Sequence, residues 1–448
     1  MDIIPLFFLL IALAAALHRN KDYPITQIYL AFVFCYLNLF PTISQILSPE
    51  PSPKFFQAQW IAIFFFEMPL LFLLSRRNTG RNVLPVRIQL TTTSSLIYSA
   101  PWLLLALLAL FWIVAIGYNK FFIRLDYSAF REDPNSVPTF LLFPYRVTIE
   151  GSYFIILYLI FSLRLSPRAS RHRGLYRTTL WLYLLTFSVF FFVNSRMQFL
   201  LLLLCLYFIR PGFTLPRLKA GRMALFSLAA IAVIIALTLI RELFIESNDR
   251  LDASNALGLF YILGSMISDR INSLVMLARA LEGGYNPFGV QSSGLLHLYN
   301  LYFSFFADPE AYAQIRASEI TSPSVEIINR VMGENYVDFP KSMVLDIQLV
   351  CGSFALPFLA GLLAAGIRFS QKAVIRQGSL TPRLLAALFL LPLLLQFEKE
   401  FLGFVTMLLK LSPLFVLLLF LHGSASASAP VKATRKLGSA SQLAGTIC

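Results

Sequence analysis

Cysteine and histidine are scarce, four of each in 448 residues, and neither type clusters. Metal sites need several such ligands brought together at close spacing, so any catalysis here is expected to run without a bound transition metal or other cofactor. Cys35, Cys205, Cys351 and Cys448 fall in apolar runs or in the C-terminal tail, which excludes an expected structural disulfide. The chain has no G-x-x-x-x-G-K-[ST], no H-E-x-x-H and no G-x-S-x-G, so nucleotide-loop, zincin and serine-hydrolase chemistry lack their usual carriers. Charge is sparse as well, at 13% of residues. A soluble globular protein carries about 25%. Acids are the rarer sign, 23 against 37 Lys and Arg.

Apolar residues fill the gap: they make up 57% of the chain, with 43 Phe among them. At about 1.5 Å of rise per helical residue and a hydrocarbon core of about 30 Å, the apolar runs predict about eleven transmembrane helices. They lie near 3–17, 25–47, 55–75, 96–118, 147–163, 178–193, 197–209, 223–240, 342–367, 384–397 and 402–421. The expected fold is therefore an all-α, polytopic membrane helix bundle. The first run has no basic flank, carries Asp2 and is followed by no A-x-A site, so it is expected to stay as a span.

Basic charge sits in every second gap. The gaps after spans 1, 3, 5, 7 and 9, together with the tail, hold 22 Lys and Arg and a single acid, Asp22. The positive-inside rule makes those gaps cytoplasmic, with the N-terminus outside and the C-terminus inside. The net charge of +14 is then a topology signal, and no nucleic-acid partner is expected. Four regions follow: spans 1–8 over 1–240, one large outer loop over 241–340, spans 9–11 over 341–421, and a polar tail over 422–448.

The large outer loop holds twelve of the 23 acids and six Arg. Loops of this length are uncommon without a function, which makes the outer face the expected place of activity. Within it, 256–282 reads as an amphipathic helix lying on or dipping into the outer leaflet, and 283–294 as a turn-rich linker. No inverted-repeat pairing of interrupted helices, a usual transporter sign, is visible.

Several residues are candidates for chemistry. Arg196 closes a short hairpin between spans 6 and 7, each arm about seventeen residues or 25 Å long, so it is expected at or just below the outer boundary. A cation there needs an anionic partner, or it snorkels to headgroups. Asp269, Arg270 and Arg279 lie on the loop helix, where an arginine can clamp phosphate and where an Asp–Arg pair can equally be local. Glu398 and Glu400 fill the last outer turn, and either could act as a general base or mark topology. Arg124 and Arg146 sit in the smaller outer loop at 119–146, and His297 in an aromatic stretch of the large one. Charge within the spans centres on Glu67, read either as a site residue or as the partner of an Arg from another helix.

Four local patches carry a family likeness: NSRMQFLLLL, SDRINSLVML, DFPKSMVLDIQLVCGSFALPFLAGLLAAG and FEKEFLGF. With the topology, they make the chain resemble the oligosaccharide repeat-unit polymerases of bacterial envelopes, of the O-antigen and enterobacterial-common-antigen type. Arg270–Gly283 and Arg279–Gly289 do not keep the fixed Arg-to-Gly spacing of some members. The resemblance implies a glycosyltransferase of the bacterial cytoplasmic membrane. It would move a growing glycan from undecaprenyl pyrophosphate onto the sugar of an incoming lipid-linked repeat unit. Its partners would be that lipid-linked oligosaccharide, membrane lipids, a chain-length regulator and a flippase.

In that reaction Arg196 and Arg270 would hold the pyrophosphate leaving group. Glu398 or Glu400 would take the acceptor hydroxyl proton, while Arg279, Asp269, Arg146, Arg124 and His297 would bind substrate. The alternatives are an O-antigen ligase, a lipid-linked oligosaccharide flippase or transporter, and a glycosyltransferase using a lipid-phosphate sugar. His297 is followed by Leu298, which departs from the ligase pattern, and the first outer loop offers only Glu50 where the lipid-phosphate class places an acidic pair.

Overall fold

A computed structural model describes residues 4–20, 23–47, 52–76, 99–118, 139–165, 172–194, 273–290, 323–333, 342–375, 380–395 and 401–423. Among these residues the chain is helical throughout, with no strand. This is the pattern lipid demands, because a helix satisfies its own backbone polar groups where water cannot. Helices α1 (Ile4–Arg19), α2 (Pro24–Phe34) and α3 (Phe40–Leu47) open the chain, α2 and α3 being joined by a π-helical turn at Cys35–Leu39. A second π turn, Ile63–Glu67, joins α4 (Phe55–Ala62) to α5 (Met68–Ser75). Then come α6 (Ser99–Ile113), α7 (Thr139–Leu165), α8 (Arg173–Asn194), α9 (Ser273–Glu282) and α10 (Pro323–Met332). The last are α11 (Met343–Cys351), α12 (Leu356–Ile375), α13 (Pro382–Leu395) and α14 (Phe401–Gly423).

Among the described residues, five helical stretches are long and apolar enough to cross a membrane: Ile25–Ile43, Phe55–Ser75, Ala100–Tyr118, Val147–Leu165 and Ser353–Val374. Shorter apolar helices lie at Leu6–Arg19, Pro382–Leu394 and Met407–Leu421. Spans 7 and 8 of the sequence reading, and nearly all of the tail, lie outside the described residues.

Helix α8 is 22 residues long and begins in the basic gap at Arg173, while the turn at Arg196 lies outside the described residues. Two expectations change. Helix α7 starts at Thr139 and runs through Pro144, which puts Arg146 inside a helix instead of a loop. Span 9 is broken. Gly352 sits at φ 76°, a backbone that only glycine adopts without strain, and α11 stops there before α12 begins.

Polar contacts tie helix ends together at both ends of the bundle. At the basic end, the Arg368 guanidinium donates to the carbonyl of Leu73 and, at 2.9 Å, to that of Arg76. The backbone N–H of Ile25 donates to Gln371 Oε1 at 2.8 Å. These bonds bring the gaps after spans 1, 3 and 9 together. At the opposite, acidic end the Ser52 hydroxyl donates to Glu282, which ties the first short gap to the large loop.

Between the ends, packing and not water exclusion holds the helices, since lipid is as apolar as the side chains. Phe111 stacks on Tyr145 with centroids 5.2 Å apart and also meets Phe187 and Phe190, which locks α6, α7 and α8. Phe154, Phe389 and Phe415 do the same for α7, α13 and α14. A Cβ on Gly366 would stand 2.9 Å from Leu394 Cδ1, so glycine lets α12 and α13 approach.

Candidate functional site

Of the 256–282 segment expected at the leaflet, the described part, α9, packs its apolar face on protein. Leu274, Met276, Leu277, Ala278, Ala280 and Leu281 are buried, and they form a second core with Phe55, Ala58, Ile61 and Ala62 of α4, with α10 and with α11. The apolar face is therefore covered by protein at the acidic end of the bundle. Arg279 is left exposed on the other face.

The turn after α9 is tied down as firmly. Ser353 donates to the Pro287 carbonyl from its backbone N–H at 2.8 Å and from its hydroxyl at 2.7 Å. Gln348 Nε2 donates to that same carbonyl at 3.1 Å and to Ser353 Oγ at 2.8 Å. The Tyr285 hydroxyl donates to the Gln348 carbonyl, and burial holds its pKa above the usual tyrosine range, so it remains a donor. Phe65, Phe288 and Phe354 meet edge to face over the junction. The broken span and the loop thus complete one another: the backbone groups freed at Gly352 are met by the 285–289 turn.

A polar ladder descends into the bundle from this end. Gln59 Nε2 donates to Thr42 Oγ1 at 3.0 Å and to Asn38 Oδ1 at 3.2 Å, and Asn38 Nδ2 donates to Glu67 Oε1 at 2.6 Å. Glu67 is 3% exposed and Asn38 fully buried. Each belongs to a π turn, a helix irregularity often found at functional sites. The expected arginine partner of Glu67 is replaced, among the described residues, by the Asn38 amide. A crevice beside Glu67, lined by Leu9, Leu13, Leu30 and Leu71, has room for about one water.

Charge in the bundle is not centred on Glu67 alone. Lys410 of α14 pairs with Glu150 of α7 at 3.3 Å, with side chains 20% and 23% exposed. Arg146 lies four residues before Glu150, one turn nearer the acidic end of α7. Sequence reasoning missed Glu150, Lys410, Asn38 and Gln59. Each is a lone polar residue in an apolar run, and polarity at that depth was the available signal.

Of the residues expected to do chemistry, Arg279 and the backbone of Arg146 are placed by the structure. Arg196, Asp269, Arg270, Glu398, Glu400, Arg124 and His297 lie outside the described residues. Compared with protein families, with characterised proteins and with solved structures, the chain matches none.

Proposed function

We propose that the protein is a membrane glycosyltransferase that polymerises lipid-linked oligosaccharide repeat units at the outer face of a bacterial cytoplasmic membrane, its acidic end facing outward. One observation carries the reading. The loop that holds more than half of the chain's acids is anchored through α9 onto the bundle, and Arg279 stands exposed at that anchored surface. A surface of this kind suits two anionic lipid substrates that must meet at the boundary with their sugars in water.

In this reaction the anomeric carbon of the growing glycan leaves the carrier pyrophosphate and bonds to a hydroxyl oxygen of the incoming unit. The hydroxyl proton passes to a carboxylate. Arg196, Arg270 and Arg279 stabilise the charge that gathers on the departing pyrophosphate. Glu398 or Glu400 receives the proton.

The experiment is the surface glycan ladder of a strain lacking the gene, complemented with wild type, Arg196→Ala or Arg279→Ala. Collapse to a single repeat unit, restored by wild type and not by Arg196→Ala, supports the reading. Long chains accumulating on the lipid carrier would make the protein a ligase instead. An unchanged ladder would sink both.

A further inference from the structure

A shallow depression of about 420 Å³ opens at the start of α4, lined by Pro53, Lys54, Phe56, Gln57 and Trp60. We propose that it seats the headgroup phosphate of an anionic bilayer phospholipid, with an acyl chain running down the Trp60–Phe64 stack. Positions 53, 57, 60 and 64 recur at helical spacing, so they form one stripe along the helix. By helical rise Trp60 lies about 9 Å, and Phe64 about 15 Å, below Lys54. The two rings stack with centroids 5.0 Å apart, and Phe64 is 54% exposed, so the stripe faces out of the bundle toward lipid. A charged and amide-bearing top above an aromatic slot reproduces the polarity profile of a phospholipid at the boundary.

Charge decides which lipid. Among the described residues, Lys54 is the one charged residue lining the depression, and Gln57 adds one amide. The neighbouring acid on α9, Glu282, accepts the Ser52 hydroxyl. A single ammonium matches the single charge of a phosphodiester. A pyrophosphate would bring charge that these residues leave uncompensated at the edge of the hydrocarbon, which costs several kcal/mol. A Lys also suits a mobile headgroup, because it acts as a point charge without the fixed fork of Arg. The bilayer, and not the carrier of the proposed polymerisation, is therefore the source. The site stands whether or not that reaction is the protein's own.

The test uses the full chain in phosphatidylcholine nanodiscs doped with brominated phosphatidylglycerol or brominated phosphatidylcholine at equal low fraction. The share of tryptophan quenching lost in Trp60→Phe reports lipid at this stripe. Brominated phosphatidylglycerol should be enriched there about fivefold, the factor for one Lys near an anionic headgroup. Lys54→Ala should abolish the preference, Lys54→Arg should keep it, and Lys372→Ala at the basic end should leave it unchanged. Equal quenching by both lipids, or an unchanged preference in Lys54→Ala, overturns the proposal. Displacement of the brominated phosphatidylglycerol by a small fraction of polyprenyl pyrophosphate also overturns it, and assigns the stripe to the carrier lipid.

Discussion

Asn38 gives an amide hydrogen to Glu67 across 2.6 Å, and in doing so joins two π-helical turns on neighbouring spans. Both residues are buried, so the bond meets a need that an apolar interior would otherwise leave open. Removing one alone leaves a buried polar group without its partner, at about 1–3 kcal/mol. Asn38→Leu and Glu67→Leu should each lower the thermal midpoint of the purified protein. The double variant should lose less than the sum, because two apolar side chains no longer need the bond. Glu67→Gln keeps an acceptor and should fall nearest wild type. A double-mutant cycle measured by thermal unfolding checks this, and simple additivity would show that the pair is not coupled.

The Lys410–Glu150 pair obeys the same rule with charge in place of dipoles. Both side chains are mostly buried, and the second carboxylate oxygen of Glu150 is buried as well. Lys410→Met leaves a carboxylate facing hydrocarbon and should cost roughly 2 kcal/mol, less than a fully buried pair because each partner keeps some exposure. Glu150→Gln in the Lys410→Met background should recover most of that loss. Equal midpoints for the single and double variants would mean that the pair contributes nothing to holding α7 on α14.

Gly352 is the hinge of the broken span, and two constraints meet there. Its φ is 76°, and a Cβ would lie 2.9 Å from the carbonyl oxygen of Gly289. Gly352→Ala must therefore push the 285–289 turn away while straining its own backbone, at about 1–3 kcal/mol. The turn should open before the bundle does. Limited proteolysis should cut between 283 and 290 faster in the variant at a temperature where the spans are still folded. Identical cleavage rates would show that the junction yields without releasing the loop.

The sequence made the helical, apolar character of the bundle legible because apolar length follows from simple counts, and five long apolar helices among the described residues match it. The ladder and the ion pair were not legible in that way. Asn38 finds Glu67 29 residues away, and Lys410 finds Glu150 260 residues away, so a lone polar residue in an apolar run carries no sign of its partner. The fate of α9 was hidden for a related reason. An amphipathic helix has the same pattern whether its apolar face meets lipid or protein, and here Leu274, Leu277 and Leu281 meet α4 and α10.

Helix α9 allows scaffold and chemistry to be separated within one turn. Leu277 is 2% exposed and packs into the second core, whereas Arg279 points away from it. Leu277→Ala should cost about 2–4 kcal/mol, the range for truncating a buried leucine, and should reduce the amount of folded protein in the membrane. Arg279→Ala removes an exposed side chain from outside that core and should cost less than Leu277→Ala. Under the proposed function the second variant still shortens the glycan ladder at wild-type protein level, since it withdraws a cation from the anionic lipid and not a strut from the fold. Arg279→Lys should restore part of the length, because it returns the charge without the planar fork. Ladders normalised to membrane protein content distinguish the two effects. If Arg279→Ala gives full-length chains while Leu277→Ala shortens them only in proportion to lost protein, α9 is a brace for the broken span and takes no part in the reaction.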